Sequence, residues 1–533
     1  MTQYNFSFIA NKIIQAIRNR KNALVAKFGT ARYLAEVKKR AGPPRVNGQR
    51  ALIYTGYTLN NMHVRTDILF SSILTDAGFE TSVFYCGGAF STCEFARPKK
   101  GALDIGLNCY GCKKFANKLI SLDGSGLLRS LLTEKISAEQ TNLLNYYISL
   151  YEREPLNNLK ELELHGVNLH EHIMSTYHRQ TLTGPSGLTQ LEDSRYRVIG
   201  KNVAKAVIYL AHILEHYDPS LVVCTHGIYL NHGPLTTLCR LRGISLTVWG
   251  VPYRRGTFYL TKGDTYHRAL LPHLNKTHWD VPLSKFEEKR AKNYLESKES
   301  GGRDYWSYFG KMKSDSEDRV IKIAKKKQVL VLFTNVDWDA QIFYDGNIFP
   351  SQLEWIEHTL VQIRSNIGKH LVIRVHPAEA DIFKSRSSIV SSVQNLIQNH
   401  RVPNVTLIEP NDCCSSYALM KVSCAALIYG SKISLECAYR GIPTVIVGNS
   451  LFRQKEFSYL PESISEYDAL ITNDISPVEG QVESATRYAH YLYYRVFQEC
   501  RWADDLFDPY TKFRGLTEAQ YQDLADGLVH GTA

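Results

Sequence analysis

Twice along this chain an apolar run of four to six residues ends in a polar turn, gives way to a helix-length stretch and returns as another apolar run. Ala51-Leu-Ile-Tyr54 leads into a helical stretch from about His63 to Ala77, closed by Gly78, and then into Thr81–Tyr85. The order recurs at Ser220–Thr225, Leu235–Arg242 and Ser245–Trp249. It starts afresh at Gln328-Val-Leu-Val-Leu-Phe333 and continues through His370–Val375, Asn404–Ile408, Ala425–Tyr429 and Thr444–Val447. Short apolar runs alternating with helices predict parallel sheets covered on both faces. At 533 residues the chain is several times the size of one hydrophobic core, so the prediction is two α/β domains in series. Such a pair places a cleft between the carboxyl ends of two sheets, where open-sheet proteins bind ligands.

The boundaries follow from breaks in this pattern. A basic arm occupies 1–45 and ends at the helix-breaking Ala41-Gly-Pro-Pro-Arg45. The first α/β domain is expected over 46–300 and the second over 328–480. Between them a stretch rich in Lys, Glu, Ser and Asp, 285–328, contains the connection, placed at 301–327. A helical tail is expected over 481–533. Its aromatics Tyr488, Tyr491, Tyr493, Tyr494 and Phe497 read as core rather than as a ligand site.

Composition excludes several classes. Hydrophobic residues at 44% and charged residues at 22% are ordinary for a soluble globular chain. No apolar run reaches membrane-spanning length, and the N-terminus lacks a signal-peptide core and cleavage site. A cytoplasmic location is the expectation. The net charge of +11 is uneven: residues 1–45 hold ten Lys or Arg against Glu36 alone, beside a stripe of Phe8, Ile9, Ile13, Ile14 and Ile17. That arm reads either as an amphipathic helix on the inner, anionic face of a membrane or as a solvated helix packed on the body. No nucleic-acid module accompanies the charge, and no nucleic-acid partner is expected.

The sharpest local text is Tyr429-Gly-Ser-Lys-Ile-Ser-Leu-Glu436, a strand end, a turn and a helix start. Gly430 with the hydroxyls of Ser431 and Ser434 suits phosphate oxygens, and Glu436 suits ribose hydroxyls, although ordinary capping reads the same way. Two more turns end neighbouring strands. Arg374-Val-His-Pro-Ala-Glu379 places His376 at the sheet edge, with a charge tunable near neutral pH, and Glu379 beside it. Thr334-Asn-Val-Asp-Trp-Asp339 brings Thr334, Asn335 and Asp339 to the first strand's end. Three polar turns on successive strand ends of one sheet predict one site.

The order of strand, His-Pro-x-Glu, then Gly-Ser-x-x-Ser-x-Glu-x-x-x-x-Gly-x-Pro before an apolar strand resembles the nucleotide-binding domain of GT-B glycosyltransferases. It is most similar to bacterial capsule and lipopolysaccharide biosynthesis proteins, the Kdo transferases among them, and more distantly to bacterial sialyltransferases. Phe333-Thr-Asn-Val-x-Trp-Asp339 and Glu354-Trp355 resemble that group too. The likeness covers roughly 328–450 well and the first half in outline. It implies two Rossmann-like domains facing each other across a cleft. It also implies transfer of a sugar, such as a CMP-linked acid sugar, from a nucleotide donor to a surface-polysaccharide or lipid-linked acceptor. His376, Ser431 and Ser434 would contact the donor's phosphate and nucleotide, and Glu436 its ribose. Asp337-Trp-Asp339 has the spacing of a metal motif, but His376 and helix starts suffice for phosphate, so transfer is expected to need no divalent ion.

The first half would hold the acceptor. His226, in Thr225-His-Gly-Ile-Tyr-Leu-Asn-His-Gly233 at a strand end, is the candidate base, with Asp67 and Asp339 as alternative carboxylates; a histidine bonded structurally in a turn reads the same way. Arg254, Arg255 and Lys262 are candidates for an anionic acceptor, or a solvated basic turn. Separately, Cys86, Cys93, Cys109 and Cys112 have spacings that suit either one four-thiolate zinc site or free thiols. Gly111 and Gly87-Gly88 would allow the tight turns. That structural zinc is the one metal the sequence suggests. The other seven cysteines read as small buried hydrophobes. Three rival functions remain: a non-hydrolysing nucleotide-sugar 2-epimerase, a CDP-alcohol phosphotransferase, and an inactive sugar-binding scaffold. The first would carry Arg-Pro-Glu where this chain has Gly56-Tyr-Thr-Leu-Asn-Asn61.

Overall fold

The structure is a computed structural model that describes residues 48–58, 61–99, 102–104, 106–123, 128–182, 184, 193–300, 304–305, 315–336, 338, 346–379, 389–506 and 514–531. The basic arm and Asp339 lie outside the described residues, as does Asp337.

Six strands of the first sheet follow in chain order: β1 (Arg50–Gly56), β2 (Glu80–Tyr85), β3 (Leu128–Ser130), β4 (Leu221–Thr225), β5 (Ser245–Gly250) and β6 (Thr257–Lys262). They lie side by side as β3-β2-β1-β4-β5-β6, all parallel except β6, which runs antiparallel to β5. Successive side chains of a strand point to opposite faces, and β1 divides two cores accordingly. Ala51 and Ile53 join the cluster under helix α1 (Asn61–Asp76). Leu52 and Tyr54 join the cluster on the other face, with Ile199, Val203, Val207 and Leu210 of the long helix Asp193–Tyr217.

The second sheet holds β7 (Gln328–Phe333), β8 (Lys369–Arg374), β9 (Val405–Ile408), β10 (Ala425–Ile428) and β11 (Thr444–Ile446), ordered β9-β8-β7-β10-β11 and wholly parallel. Leu330 and Leu332 face one core, Val329 and Val331 the other. Both domains are thus doubly wound α/β units, as expected.

Within 301–327, expected as the linker, Asp315–Ala324 is helical, and another helix stands just before it. Ser284 caps the helix Lys285–Ser297, its hydroxyl accepting from Glu287 N–H while the Glu287 carboxylate accepts from Ser284 N–H. The last stretch is not a detached helical tail. Helix Gln481–Tyr491 leads through a wide turn at 492–496 to β12 (Gln498–Glu499), which pairs antiparallel with β6 on the edge of the first sheet. Helix Glu518–His530 then packs on α1: Tyr521 OH donates to Asp76 at 2.6 Å and Thr247 OH to the Leu528 carbonyl at 2.7 Å. The aromatics Tyr488, Tyr493 and Phe497 are core, as expected. They share a cluster with Tyr259 of β6 and Leu435 and Ala438 of the second domain. No described helix is long and apolar enough to cross a membrane.

Candidate active site

In each sheet the first strand lies between the second and the fourth, so strand order reverses at β1/β4 and at β7/β10. Helices leave such a reversal in opposite directions and open a crevice at the carboxyl ends. The first crevice is flanked by Gly56–Thr58 and Thr225–Gly227, the second by Thr334–Asn335 and Tyr429–Lys432. The two edges meet. Arg179 of the first domain lies 4.9 Å above the Trp338 ring, and the Lys432 ammonium lies 5.4 Å from the Tyr253 ring.

At the second crevice the expected residues gather, but several serve as braces. Thr334 Oγ1 accepts from His376 N–H at 2.9 Å, tying the ends of β7 and β8. Asn335 N–H donates to Gln352 Oε1 at 2.5 Å. Ser434 is fully buried and its hydroxyl donates to the Ser431 carbonyl at 2.8 Å, so it closes the turn from inside rather than facing a phosphate. Glu436 is also interior, its carboxylate accepting from Tyr417 OH at 2.6 Å, which turns the expected ribose contact inward. Gly430 packs closely where it stands: a Cβ there would come within 3.1 Å of the Asn449 carbonyl, which would have to give by a few tenths of an ångström. Ser431 stays half-buried at the turn, and Glu379 closes the short turn Pro377–Glu379 with its N–H on the His376 carbonyl.

His376 differs from the tunable charge expected of it. Burial, then the neighbouring Lys432 and Arg374 cations, lower its imidazole to about 3, so it stands neutral. Ala378 N–H donates to its Nδ1 at 3.1 Å, which leaves the ring proton on Nε2, a neutral donor.

The group that sequence reasoning passed over is Lys432, inside the quoted Gly-Ser-Lys-Ile-Ser turn. Its ammonium pairs with Asp304 at 2.8 Å. Burial alone would lower it; the Asp304 and Glu436 carboxylates more than offset this and hold it above the ordinary lysine value. Asp304 is itself buried, bound also by the Lys298 ammonium and accepting from Tyr294 OH at 2.5 Å. Its backbone bridges to Arg254 in the first domain. Lysine 432, neutral His376 and the turn of 430–431 therefore form a wall of donors and positive charge at the β7/β10 reversal.

In the first domain His226 sits at the β1/β4 reversal, half-buried, with φ of 64°. Gly227 and Tyr229 follow at 75° and 64°, so this turn runs through the left-handed region, which non-glycine residues adopt at a cost. The expected loop after β4 is shorter than predicted, because the helix already begins at Tyr229. His226 N–H donates to the Trp249 carbonyl at 2.9 Å, and its ring stacks on Tyr229 at 5.4 Å. Asp67 is fully buried beneath and accepts from Trp249 Nε1 at 2.7 Å; burial raises it to about 7 against those hydrogen bonds.

The expected basic acceptor group does not hold together. β6 is antiparallel, so Lys262 ends at the opposite edge of the sheet from Arg254 and Arg255, roughly 17 Å along a six-residue strand at about 3.4 Å per residue. Lys262 instead points to Ser245 Oγ and the Leu528 carbonyl, each at 3.4 Å. Arg254 donates to the Tyr493 carbonyl at 2.9 Å and lies 4.5 Å over the Tyr494 ring, and Arg255 donates to the Asp304 carbonyl at 2.9 Å. Both arginines fasten the crossing between domains.

With this geometry in place, residues 220–459 match the family model described as capsule polysaccharide biosynthesis protein. The match reaches from β4 of the first domain to beyond β11, under half of this chain. No curated protein matches it in sequence. Among solved structures it is similar to the beta Kdo 2,4 transferase KpsC of Thermosulfurimonas dismutans, at 11% identity over 51% of this chain and 79% of that one, with a TM-score of 0.32. The beta Kdo 2,7 transferase of the same KpsC gives 12% identity over 60% and 88%, with a TM-score of 0.30. The UDP-GlcNAc 2-epimerase of Neisseria meningitidis, bound to UDP-GlcNAc, gives 11% identity over 83% and 98%, with a TM-score of 0.24.

Proposed function

We propose that the chain is a glycosyltransferase. It takes a sugar from a nucleotide donor seated at the β7/β10 reversal and passes it to a surface-polysaccharide or lipid-linked acceptor at the β1/β4 reversal. The observation that carries the reading is that the Lys432 ammonium and the neutral His376, a neighbour whose pKa that cation lowers, lie together beside the Gly430-Ser431 turn. Within the segment matched by the capsule-synthesis model, that combination is built for a diphosphate or monophosphate leaving group. Lys432 stabilises the charge that develops as the glycosidic bond breaks, His376 donates to a phosphate oxygen, and His226 accepts the acceptor hydroxyl's proton. No divalent ion is required in this scheme, since the ammonium does the work of a cation. The basic arm would hold the enzyme at an anionic inner membrane face, close to lipid-linked acceptors.

The test is calorimetric binding of CMP, UDP, GDP and their sugars, with and without EDTA, to the parent, Lys432→Met and His376→Ala. A charge-assisted hydrogen bond to phosphate contributes about 1.5–3 kcal/mol, so Lys432→Met should weaken the preferred nucleotide roughly 10- to 100-fold. Equal binding by all three proteins removes the donor site from this crevice. Conversion of the sugar without acceptor would make the protein an epimerase instead.

A further inference from the structure

A second built feature stands apart from the donor wall. A cavity of about 40 Å³ opens beside the carboxyl ends of β1 and β2, and Cys86, Cys93, Cys109 and Cys112 all line it. These four come from two separate segments. Cys86 and Cys93 lie in the loop after β2, while Cys109 and Cys112 lie one turn apart in the helix Gly106–Asp123. Residues three apart on a helix share a face, so the pair is presented by a helix and not by the tight knuckle that Gly111 was expected to allow. Gly87 and Gly88 do take left-handed φ of 63° and 89° and turn the chain directly after Cys86.

Burial raises the thiols of Cys86, Cys93 and Cys112. The carbonyls of the same residues are pinned from outside: Thr58 OH donates to the Cys112 carbonyl at 2.6 Å and Gln180 to the Cys93 carbonyl at 2.9 Å. The Lys113 ammonium lies against Gly88, where a Cβ would meet its Nζ at 2.6 Å. A cation so placed would balance part of the negative charge of a four-thiolate shell around a divalent ion. Among the described residues no three ligating side chains already converge on one point. All four thiols nevertheless line the one cavity.

We propose that this cavity is a structural site for one soft divalent ion of the zinc type, held by Cys86, Cys93, Cys109 and Cys112. Its role is to fasten the loop after β2 to the helix that follows, at the rim of the first crevice. A shell closed by four protein thiolates keeps no open position for chemistry. Binding releases the thiol protons, so affinity falls as pH falls. The site stands independently of the sugar-transfer reading.

Metal content of the native protein, measured by elemental mass spectrometry, should be about one zinc per chain and should survive dialysis without chelator. Four thiols should resist alkylation until a chelator strips the ion. Cobalt added to stripped protein should give a thiolate charge-transfer band, which Cys109→Ser/Cys112→Ser abolishes. Should that variant fail to fold, the chelator-dependent release of four thiols in the native chain decides alone. Protein that carries no zinc, and whose four thiols react at one rate with or without chelator, overturns the proposal. So does a double variant that retains full zinc.

Discussion

Replacing Asp304 by Asn isolates the ion network that joins the linker to the donor turn. The Asp304 carboxylate is almost wholly buried between Lys298, itself buried, and Lys432, and it accepts from Tyr294. Burial would raise this carboxyl, but Lys432 and Lys298 hold it below the ordinary aspartate value. Asparagine keeps the shape and removes the charge. Breaking a buried pair by deleting one partner costs about 3–5 kcal/mol, because the other charge is left uncompensated. Lys298 limits that cost. Burial already lowers it to about 8 even with Asp304 beside it, and without Asp304 it falls further and sheds its proton. Losing a lysine proton costs roughly 1.4 kcal/mol per unit below about 10.4, hence about 5 kcal/mol at pH 7 and about 2 at pH 9. The sign follows: folded Asp304→Asn binds fewer protons than its unfolded chain in this window, so its stability rises with pH. Thermal unfolding by differential scanning fluorimetry at pH 7 should show a midpoint lower by roughly 6–20 °C, from about 3–5 kcal/mol at about 2–4 °C per kcal/mol. The deficit should shrink by pH 9. A midpoint within about 2 °C of the parent at pH 7, or a deficit that grows with pH, would refute this account of the network.

Asp67 makes the opposite case. Its folded value of about 7 lies above the unfolded one, so the parent loses stability as pH rises from 4 to 7, by up to about 1.4 kcal/mol per unit. Asp67→Asn keeps an acceptor for Trp249 and should flatten that slope and exceed the parent's denaturation midpoint at pH 8; an unchanged urea-melt slope refutes it. Gly56→Ala should destabilise by about 1–3 kcal/mol, because φ is 62° and the new Cβ would meet His232 Nε2 at 2.4 Å. A chemical-denaturation midpoint equal to the parent's would mean that β1 and His232 separate easily.

How much of this was legible in the sequence depends on whether the signal was local. The strands of both sheets were, since each is a buried apolar run closed by a turn residue; β1, β7 and β8 lie within a residue or two of where the text places them. The His376 and Gly430–Ser431 turns were legible for the same reason. Lys432 lay in plain view, but its partner Asp304 stands 128 residues upstream in ordinary charged text, and no spacing rule connects them. Lys262 failed in reverse: eight residues from Arg254 in sequence, it was carried to the far edge by a strand that runs antiparallel. Ser434 was readable as a polar group near a helix start, but not as one turned inward, because burial is set by the packing of Leu435 and Ala438 against the crossing helix. The four cysteines grouped in the text line one cavity, whereas the helix that carries two of them was not legible from their spacing.

The first domain is written in two pieces, Arg50–Lys262 and the stretch from Gln498 to His530 that adds β12 and a helix over α1. During synthesis, then, the first domain waits for residues 498–530 before its edge strand and part of its core are in place. A ribosome would have to translate past His530 before β6 gains its partner and α1 its cover. Until then the exposed edge of β6 and the apolar face of α1 are open to mispairing. Removing the last forty residues would therefore damage the domain that folds around the beginning of the sequence, not the one that precedes the cut.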